Sequence, residues 1–493
     1  MTPLDYAIVG VYLAGMIVIG AVVSRRIGGF RDFFVAAGHL TAPLLVCSLV
    51  STYYGLDVLF GGSEVAYQEG VVAWFGYTRP YYVVILLAAL LVAPRLKHHD
   101  FLSLPDVAGY YYGNGTRAVT AIASFLYALP LLSIMGIGIL LDVLLGIPFV
   151  WGVLLGACIS LAYTVMGGLL ADTLTDTVQF VLMCITLAVA CVLVLNAGGG
   201  MEGLQAALPA EYFHPGGTYP ASVLLVFAAS ALSALVEPAF YQRVFAAVNY
   251  RAVLVALLVG IALWAAYDWI TTVLGMAAAA RGIEAEPRYA LLTLTLDVLP
   301  AGLRGLFIAG VLATAMSTID SYLLIAGGNI AYDIYRPLVR PDMPDGDVLR
   351  LTRWMTTAAA AASVAFALFF RTVVSAWIFM STVLIAATLV PLLAGLYSRR
   401  PQPAAAGFAS SLTGLGVAVL FYILVHVYGS YDEEWATQIW TLELGGRSIA
   451  LWQEYAVLFA LPASALAFVI ARLAARAPGR AAASGAALEE VGR

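Results

Sequence analysis

The chain has 493 residues, 62% of them hydrophobic and only 11% charged, with a mean hydropathy of +0.93 and a formal net charge of −5. A soluble protein of this size carries about twice that charged fraction, so the composition predicts an integral membrane protein. Nucleic-acid binding has no basic block to support it, and Cys47, Cys158, Cys184 and Cys191 fall in apolar segments without metal-ligand spacing, which fits buried thiols rather than disulfides or a metal site.

Apolar runs of about 20 residues, the length that crosses a bilayer, recur along nearly the whole chain. They predict thirteen transmembrane helices at 4–24, 42–65, 71–94, 117–146, 148–168, 174–197, 221–247, 252–280, 303–327, 353–372, 375–397, 404–428 and 450–474. The first run is too long for a signal-peptide core and has no basic region before it, so it reads as a retained helix. Two runs carry helix-breaking signals: the second has Gly55, Gly61 and Gly62 near Asp57, and the seventh has Glu237-Pro238. Gly and Pro are common in membrane helices and can serve packing alone. Their matching positions, each leading a group of five helices, instead fit a transporter of inverted five-helix repeats with interrupted leading helices.

Charge sets the orientation. Arg25, Arg26 and Arg31, Arg95 and Lys97, Arg243 and Arg251, Arg336, Arg340, Arg350 and Arg353, and Arg399 and Arg400 fall in alternate loops, whereas Glu202, Glu211, Glu284, Glu286, Asp432, Glu433 and Glu434 lie between them. The positive-inside rule then puts the N-terminus outside and the C-terminus, with Arg472, Arg476 and Arg480, inside. The expected organisation is a first helix and cytoplasmic loop (1–41), a first five-helix repeat (42–197), an outer loop (198–220), a second repeat (221–400), two further helices (401–476) and a disordered tail (477–493). The fold class is all-α and multi-pass, in the plasma (inner) membrane.

The ninth span holds the least expected residues. Thr314, Ser317, Thr318 and Ser321 recur at i, i+3, i+4 and i+7 and so share one helical face, with Asp320 beside it. Polar groups in lipid are costly and mark ion or substrate pathways. Neutral oxygens near a carboxylate suit a hard cation such as sodium; the competing possibility is that Ser and Thr bond their own i−4 carbonyls and hold helices together. An enzyme is not indicated: His98, His99 and His214 lie in loops without a nucleophile or metal-ligand partner at telling spacing.

Five stretches in order carry a resemblance. Gly167-Gly168-Leu169-Leu170-Ala171 with Thr175-Asp176 and Gln179, Met316 to Ser321 with Asp333-Ile334-Tyr335, Gln242-Arg243, Leu104-Pro105-Asp106 with Tyr112-Gly113, and Pro391 to Tyr397 resemble signatures of the sodium:solute symporter family. The resemblance implies the leucine-transporter-like fold, with one helix before a ten-helix core and two after it, and sodium-driven uptake of a small organic solute with no cofactor beyond the coupling ion. By motif position it implies a sodium site made by Thr314, Ser317 and Thr318 with carbonyls near Ser51 and Tyr54. A second ion position would map to Ser317, Asp320, Ser321 and Asp176.

In that fold the solute sits between the broken helices and their neighbours. The candidate contacts are Tyr53, Tyr54, Asp57, Trp74, Tyr77, Tyr81, Ser233, Glu237, Trp264, Tyr267, Asp268, Trp377, Ser381 and Thr382. Tyr53 and Ser230 stand where the sugar-binding branch has amides, which disfavours a sugar; the proline-transporting branch has an Asp in place of Tyr53. Aromatic residues and acids suit an amine through cation–π contacts, an arrangement loosely like that of the choline-transporting branch. Arg79, beside Pro80, argues for a carboxylate instead, so amino acid, monocarboxylate and amine all stay open. The competing functions are a transporter-like solute sensor for a signalling partner and a proton-coupled carrier with Asp57 or Asp176 as the protonated group.

Overall fold

The computed structural model describes residues 1–475 except 24–28, 98, 371, 434, 436 and 445–446; at 20, 21, 23, 57, 159–160, 162–167, 444 and 447 it describes the backbone alone. The expected tail at 477–493, together with Arg25, Arg26, His98, Glu434, Arg476 and Arg480, lies outside the described residues, as does the side chain of Asp57.

Among the described residues nine helices are long and apolar enough to cross a bilayer, or ten when the bent pair Ala42–Tyr53 and Val58–Glu69 counts as one span. Helices occupy most of the remaining expected spans as well, including Pro3–Val23 and Asp345–Ala367. The fifth and sixth expected spans form one continuous run, Phe149–Ala197, kinked at Gly168. That glycine has φ +58°, and a Cβ there would lie 2.6 Å from the Phe33 ring and 2.8 Å from its carbonyl oxygen. Both the backbone conformation and the close approach therefore require glycine.

Both suspected breaks are present. The first broken helix runs through Ala42–Tyr53, unwinds at Tyr54 and Gly55, passes a wide turn at Asp57–Gly61 and resumes as Gly62–Glu69, the two halves bent by 54°. Gly136 admits the unwound stretch: a Cβ there would meet Leu56 at 2.2 Å. The second broken helix, Ala221–Ser230, tightens into a 3-10 turn at Ala231–Leu235 and ends at Val236. Glu237 then starts Pro238–Ala246, its carboxylate accepting the Phe240 amide at 2.6 Å. Proline fits there because the first turn of a helix has no partner for the amide that proline lacks.

The Leu303–Gly328 helix, which carries the hydroxyl strip, packs on Phe149–Ala197 and on Ala42–Tyr53, while Tyr250–Ala280 packs on Gly62–Glu69. Two separated motifs meet at one end of this core: Asp333 accepts from Ser103 at 2.7 Å and from Arg117 at 2.9 Å, and Arg117 also pairs with Asp106 at 3.2 Å.

Two expectations need correction. Arg243, assigned above to a loop, is 1% exposed; the Pro238–Ala246 helix folds into the core and turns the guanidinium inward, toward carboxylates on Phe149–Ala197. The acidic stretch near Asp432 is no simple loop either. It leads into an antiparallel sheet of Ser430–Asp432 (β1), Thr437–Leu444 (β2) and Arg447–Trp452 (β3), in the order β1-β2-β3, with Ile439 opposite Ser430 and Trp452. This sheet is the departure from an otherwise helical chain among the described residues.

Candidate functional site

The hydroxyl strip meets the break in the first broken helix. Ser317 Oγ donates to the Ser51 carbonyl at 2.9 Å and Thr318 Oγ1 to the Thr52 carbonyl at 3.1 Å; both hydroxyls also lie 3.2 Å from the Thr314 carbonyl. Ser51 and Thr52 occupy the last turn of Ala42–Tyr53, where carbonyls run out of helical amide partners. Two helices thus bring hydroxyls and carbonyls together, with Ser51 and Ser317 at 0% exposure and Thr318 at 7%.

Of the residues expected here, Ser51, Ser317 and Thr318 converge. Thr314 turns its hydroxyl to the Gly310 carbonyl at 2.9 Å and contributes its own carbonyl. Tyr54 is expected to contribute a carbonyl rather than its side chain, which faces away, its hydroxyl on Thr271 and its ring 4.6 Å from that of Tyr267. The Thr52 carbonyl went unforeseen, although its place beside Ser51 ahead of a Gly-marked break was the available signal.

One turn along the same helix the chemistry changes. Ser321 Oγ donates to Asp172 at 2.6 Å and accepts from Arg243 at 2.5 Å. The guanidinium also reaches Thr52 Oγ1 at 2.8 Å, Gln242 Oε1 at 2.9 Å and Asp172 at 3.2 Å, and lies 3.9 Å from Asp176. Asp176 is fully buried and Asp320 is 5% exposed. Sequence reading named Asp176, Asp320 and Ser321 but missed Asp172 and Arg243. An Asp four residues before Asp176 shares its helical face, which was the usable signal.

A cavity with about 610 Å³ of open space lies on the other side of the break. Tyr53, Tyr77, Tyr81, Trp264 and Trp377 line it as anticipated, and Asp268 supplies a carboxylate that accepts from Tyr82. Tyr54 lines it too, with Tyr82, Tyr127 and Tyr322, three tyrosines absent from the candidate set above.

The other candidates are placed differently. Trp74 is not a lining residue; its indole donates to the Ala265 carbonyl at 3.0 Å. Ser233 sits behind the wall, 3.3 Å from the Tyr81 hydroxyl. Glu237 is fully buried and accepts from Tyr53 and, at 2.8 Å, from Tyr322, in addition to its helix-capping bond. Arg79 is exposed, with its guanidinium over Phe75 at 5.5 Å, and does not line the cavity. The described lining residues include no basic side chain.

Interrupted helices that meet beside a central cavity fit the architecture of secondary transporters. The model of the sodium:solute symporter family matches residues 33–414, and the chain belongs to that family. Among its relatives, the sodium/proline symporter of Haemophilus influenzae is 23% identical over 72% of this chain and 75% of its own length. The high affinity choline transporter 1 of Homo sapiens is 25% identical over 78% and 69%, and the sodium/pantothenate symporter of Escherichia coli is 25% identical over 83% and 88%. A solved sodium-coupled sialic acid symporter, in a substrate-bound outward-open state, shares the fold with a TM-score of 0.78 at 17% identity, covering 96% of this chain and 98% of that one. A transporter of the nucleobase-cation-symport-1 family in a closed conformation aligns with a TM-score of 0.53 at 11% identity, covering 90% and 94%. The chain is accordingly a multi-pass membrane transporter of a sodium-coupled family, not an enzyme.

Proposed function

We propose that this chain imports a small organic amine across the plasma (inner) membrane, driven by sodium that binds between Ser317, Thr318 and the carbonyls of Ser51 and Thr52. The pairing of those two hydroxyls with those two carbonyls carries the reading. A sodium ion sheds water only where protein oxygens replace it, and here oxygens from two helices already face one another across a break, with the Thr314 carbonyl beside them. Rotating two hydroxyl protons away turns this hydrogen-bonded cluster into an all-oxygen shell. Alternating access follows as rocking of one repeat against the other, with sodium favouring the state that accepts solute from outside. Thirteen spans, the N-terminus outside and two inverted repeats complete the proposed arrangement.

The amine rests on the cavity. Indole and phenol faces attract cations, Asp268 adds a negative charge, and Arg79, the one feature that argued for a carboxylate solute, lies away from the wall. Thermal stabilisation of the purified protein by a panel of quaternary amines, amino acids, monocarboxylates and sugars, with and without sodium, tests both halves. Amines should stabilise most, and only with sodium. A carboxylate or sugar hit would overturn the amine; a hit indifferent to sodium but dependent on pH would overturn the coupling ion in favour of a proton.

A second ion need not be sodium. Arg243 already supplies a cation between Asp172, Ser321 and Thr52, so we assign one sodium per cycle, with Asp176 3.9 Å from that fixed charge. A ratio of two sodium ions per solute in flux measurements would refute the assignment.

A further inference from the structure

A second cavity, with about 450 Å³ of open space, lies between the sheet and the first broken helix; its walls include Glu64, Tyr219, Phe227, Trp435, Trp452 and Glu454. The two acids differ. Glu454 is satisfied by Ser375 at 2.8 Å, Thr437 at 2.7 Å and Gln453 at 3.0 Å, and it pins the sheet to the Val373–Tyr397 helix. Glu64 is 5% exposed; its carboxylate accepts from the Val373 backbone, but its Oε2 has no hydrogen-bond partner among the described residues. Arg288 is the basic group whose charge reaches Glu64, but its guanidinium pairs with Glu286 at 2.7 Å and lies over the rings of Phe149 and Tyr289. A buried carboxylate oxygen left without a donor is costly and calls for a cation.

Aromatic rings supply the rest of the wall. Trp452 and Trp435 have centroids 5.3 Å apart, and Trp435 and Tyr219 5.9 Å. The series continues inward through Tyr219 and Phe227 at 5.6 Å, Phe227 and Tyr77 at 5.2 Å, and Tyr77 and Trp377 at 5.3 Å. Phe227 lines this cavity whereas Tyr77 and Trp377 line the central one, so a single ring contact separates the two. A bare metal ion is a poor match: the walls offer rings where a metal needs several oxygens, and no group of three or more His, Cys, Asp or Glu suited to a metal occurs among the described residues.

We propose that this cavity is an entry site for a small organic ammonium ion, with Glu64 as counter-ion and Trp435, Trp452 and Tyr219 as its cation–π wall. From there the ion passes the Phe227–Tyr77 contact into the central cavity. That it is the transported solute rests on the amine reading above; that it binds at Glu64 does not.

The test follows broadening of the methyl proton resonance of tetramethylammonium by the purified full-length protein. Trp264→Leu with Asp268→Asn, which strips the central cavity, should leave substantial broadening. Adding Glu64→Gln should then weaken binding about tenfold, Trp435→Leu about threefold, and Glu64→Asp little, as expected when a counter-ion and one ring are removed in turn. Broadening unchanged by both Glu64→Gln and Trp435→Leu, abolished by the central-cavity changes alone, or missing from the unaltered protein would overturn the entry site. If Glu64→Gln alone removes all broadening and the central-cavity changes remove none, the entry site stands and the amine reading of the central cavity falls.

Discussion

Two neighbouring turns of the Leu303–Gly328 helix solve one problem in opposite ways. At Ser317 and Thr318 the polar groups are neutral and face neutral carbonyls, so a cation can arrive and leave without stranding a charge. At Ser321 the partners are Asp172 and Arg243, and the cation is covalently part of the chain. Burial alone therefore does not identify an ion site, since Ser317 and Ser321 are both at 0% exposure. What separates them is whether the compensating charge is free to move. Taking a charge out of water costs several kcal/mol, which favours a permanent partner where the carboxylates are permanent and neutral ligands where the ion must exchange.

The contrast can be broken most sharply at Arg243. Arg243→Gln leaves Asp172 and Asp176 buried against no cation and should cost about 3–5 kcal/mol, read as a large fall in melting temperature and loss of transport. Combining it with Asp172→Asn should recover part of the stability; a double variant no better than the single one would mean that the guanidinium does not act by compensating charge. Next in size, Ser317→Ala with Thr318→Ala should raise the sodium concentration for half-maximal uptake by roughly tenfold or more, since each lost oxygen ligand is worth on the order of 1 kcal/mol, with protein still in the membrane. An unchanged sodium curve would remove the site from these two residues.

Asp268→Asn should raise the KM for an amine several-fold while sodium half-saturation stays put, because it removes one attractive charge from the cavity wall. The smallest effect is expected from Ser321→Ala. It loses the bonds to Asp172 and Arg243 and should cost about 1–2 kcal/mol of stability, with sodium half-saturation within about twofold, or roughly 0.4 kcal/mol. A sodium shift as large as that of the Ser317 and Thr318 pair would erase the distinction between the two turns.

Much of this was legible before any coordinates. The apolar runs predicted where helices lie, the Gly and Pro signals predicted both breaks, and the i, i+3, i+4, i+7 spacing predicted which hydroxyls share a face. Arg243 was misassigned because an arginine near a helix end reads the same whether it reaches for solvent or folds inward. Its partner Asp172 is 71 residues away in the chain, and local spacing is silent about such distances. Tyr322 and Tyr127 were missed for a similar reason: which face of a buried helix borders a cavity depends on the neighbours, not on the helix itself. The sheet has its own sequence signal, the alternation after Thr437 and the Gly445-Gly446 pair, a dipeptide common in turns between two β-prone runs.

Glu237 has a consequence that concerns energy exchange between sites. Its carboxylate fixes the start of one half-helix and at the same time holds Tyr53, which follows Thr52 in the chain, and Tyr322, one helical turn beyond Thr318. Both tyrosines also border the central cavity. A solute that draws either phenol toward itself therefore works against the same carboxylate that holds the chain neighbour of Thr52 and a residue one turn from Thr318. Reciprocity requires that whatever the solute gains or loses through that linkage, the ion gains or loses equally; the thermodynamic coupling of the two cargoes can thus run through one side chain that touches neither.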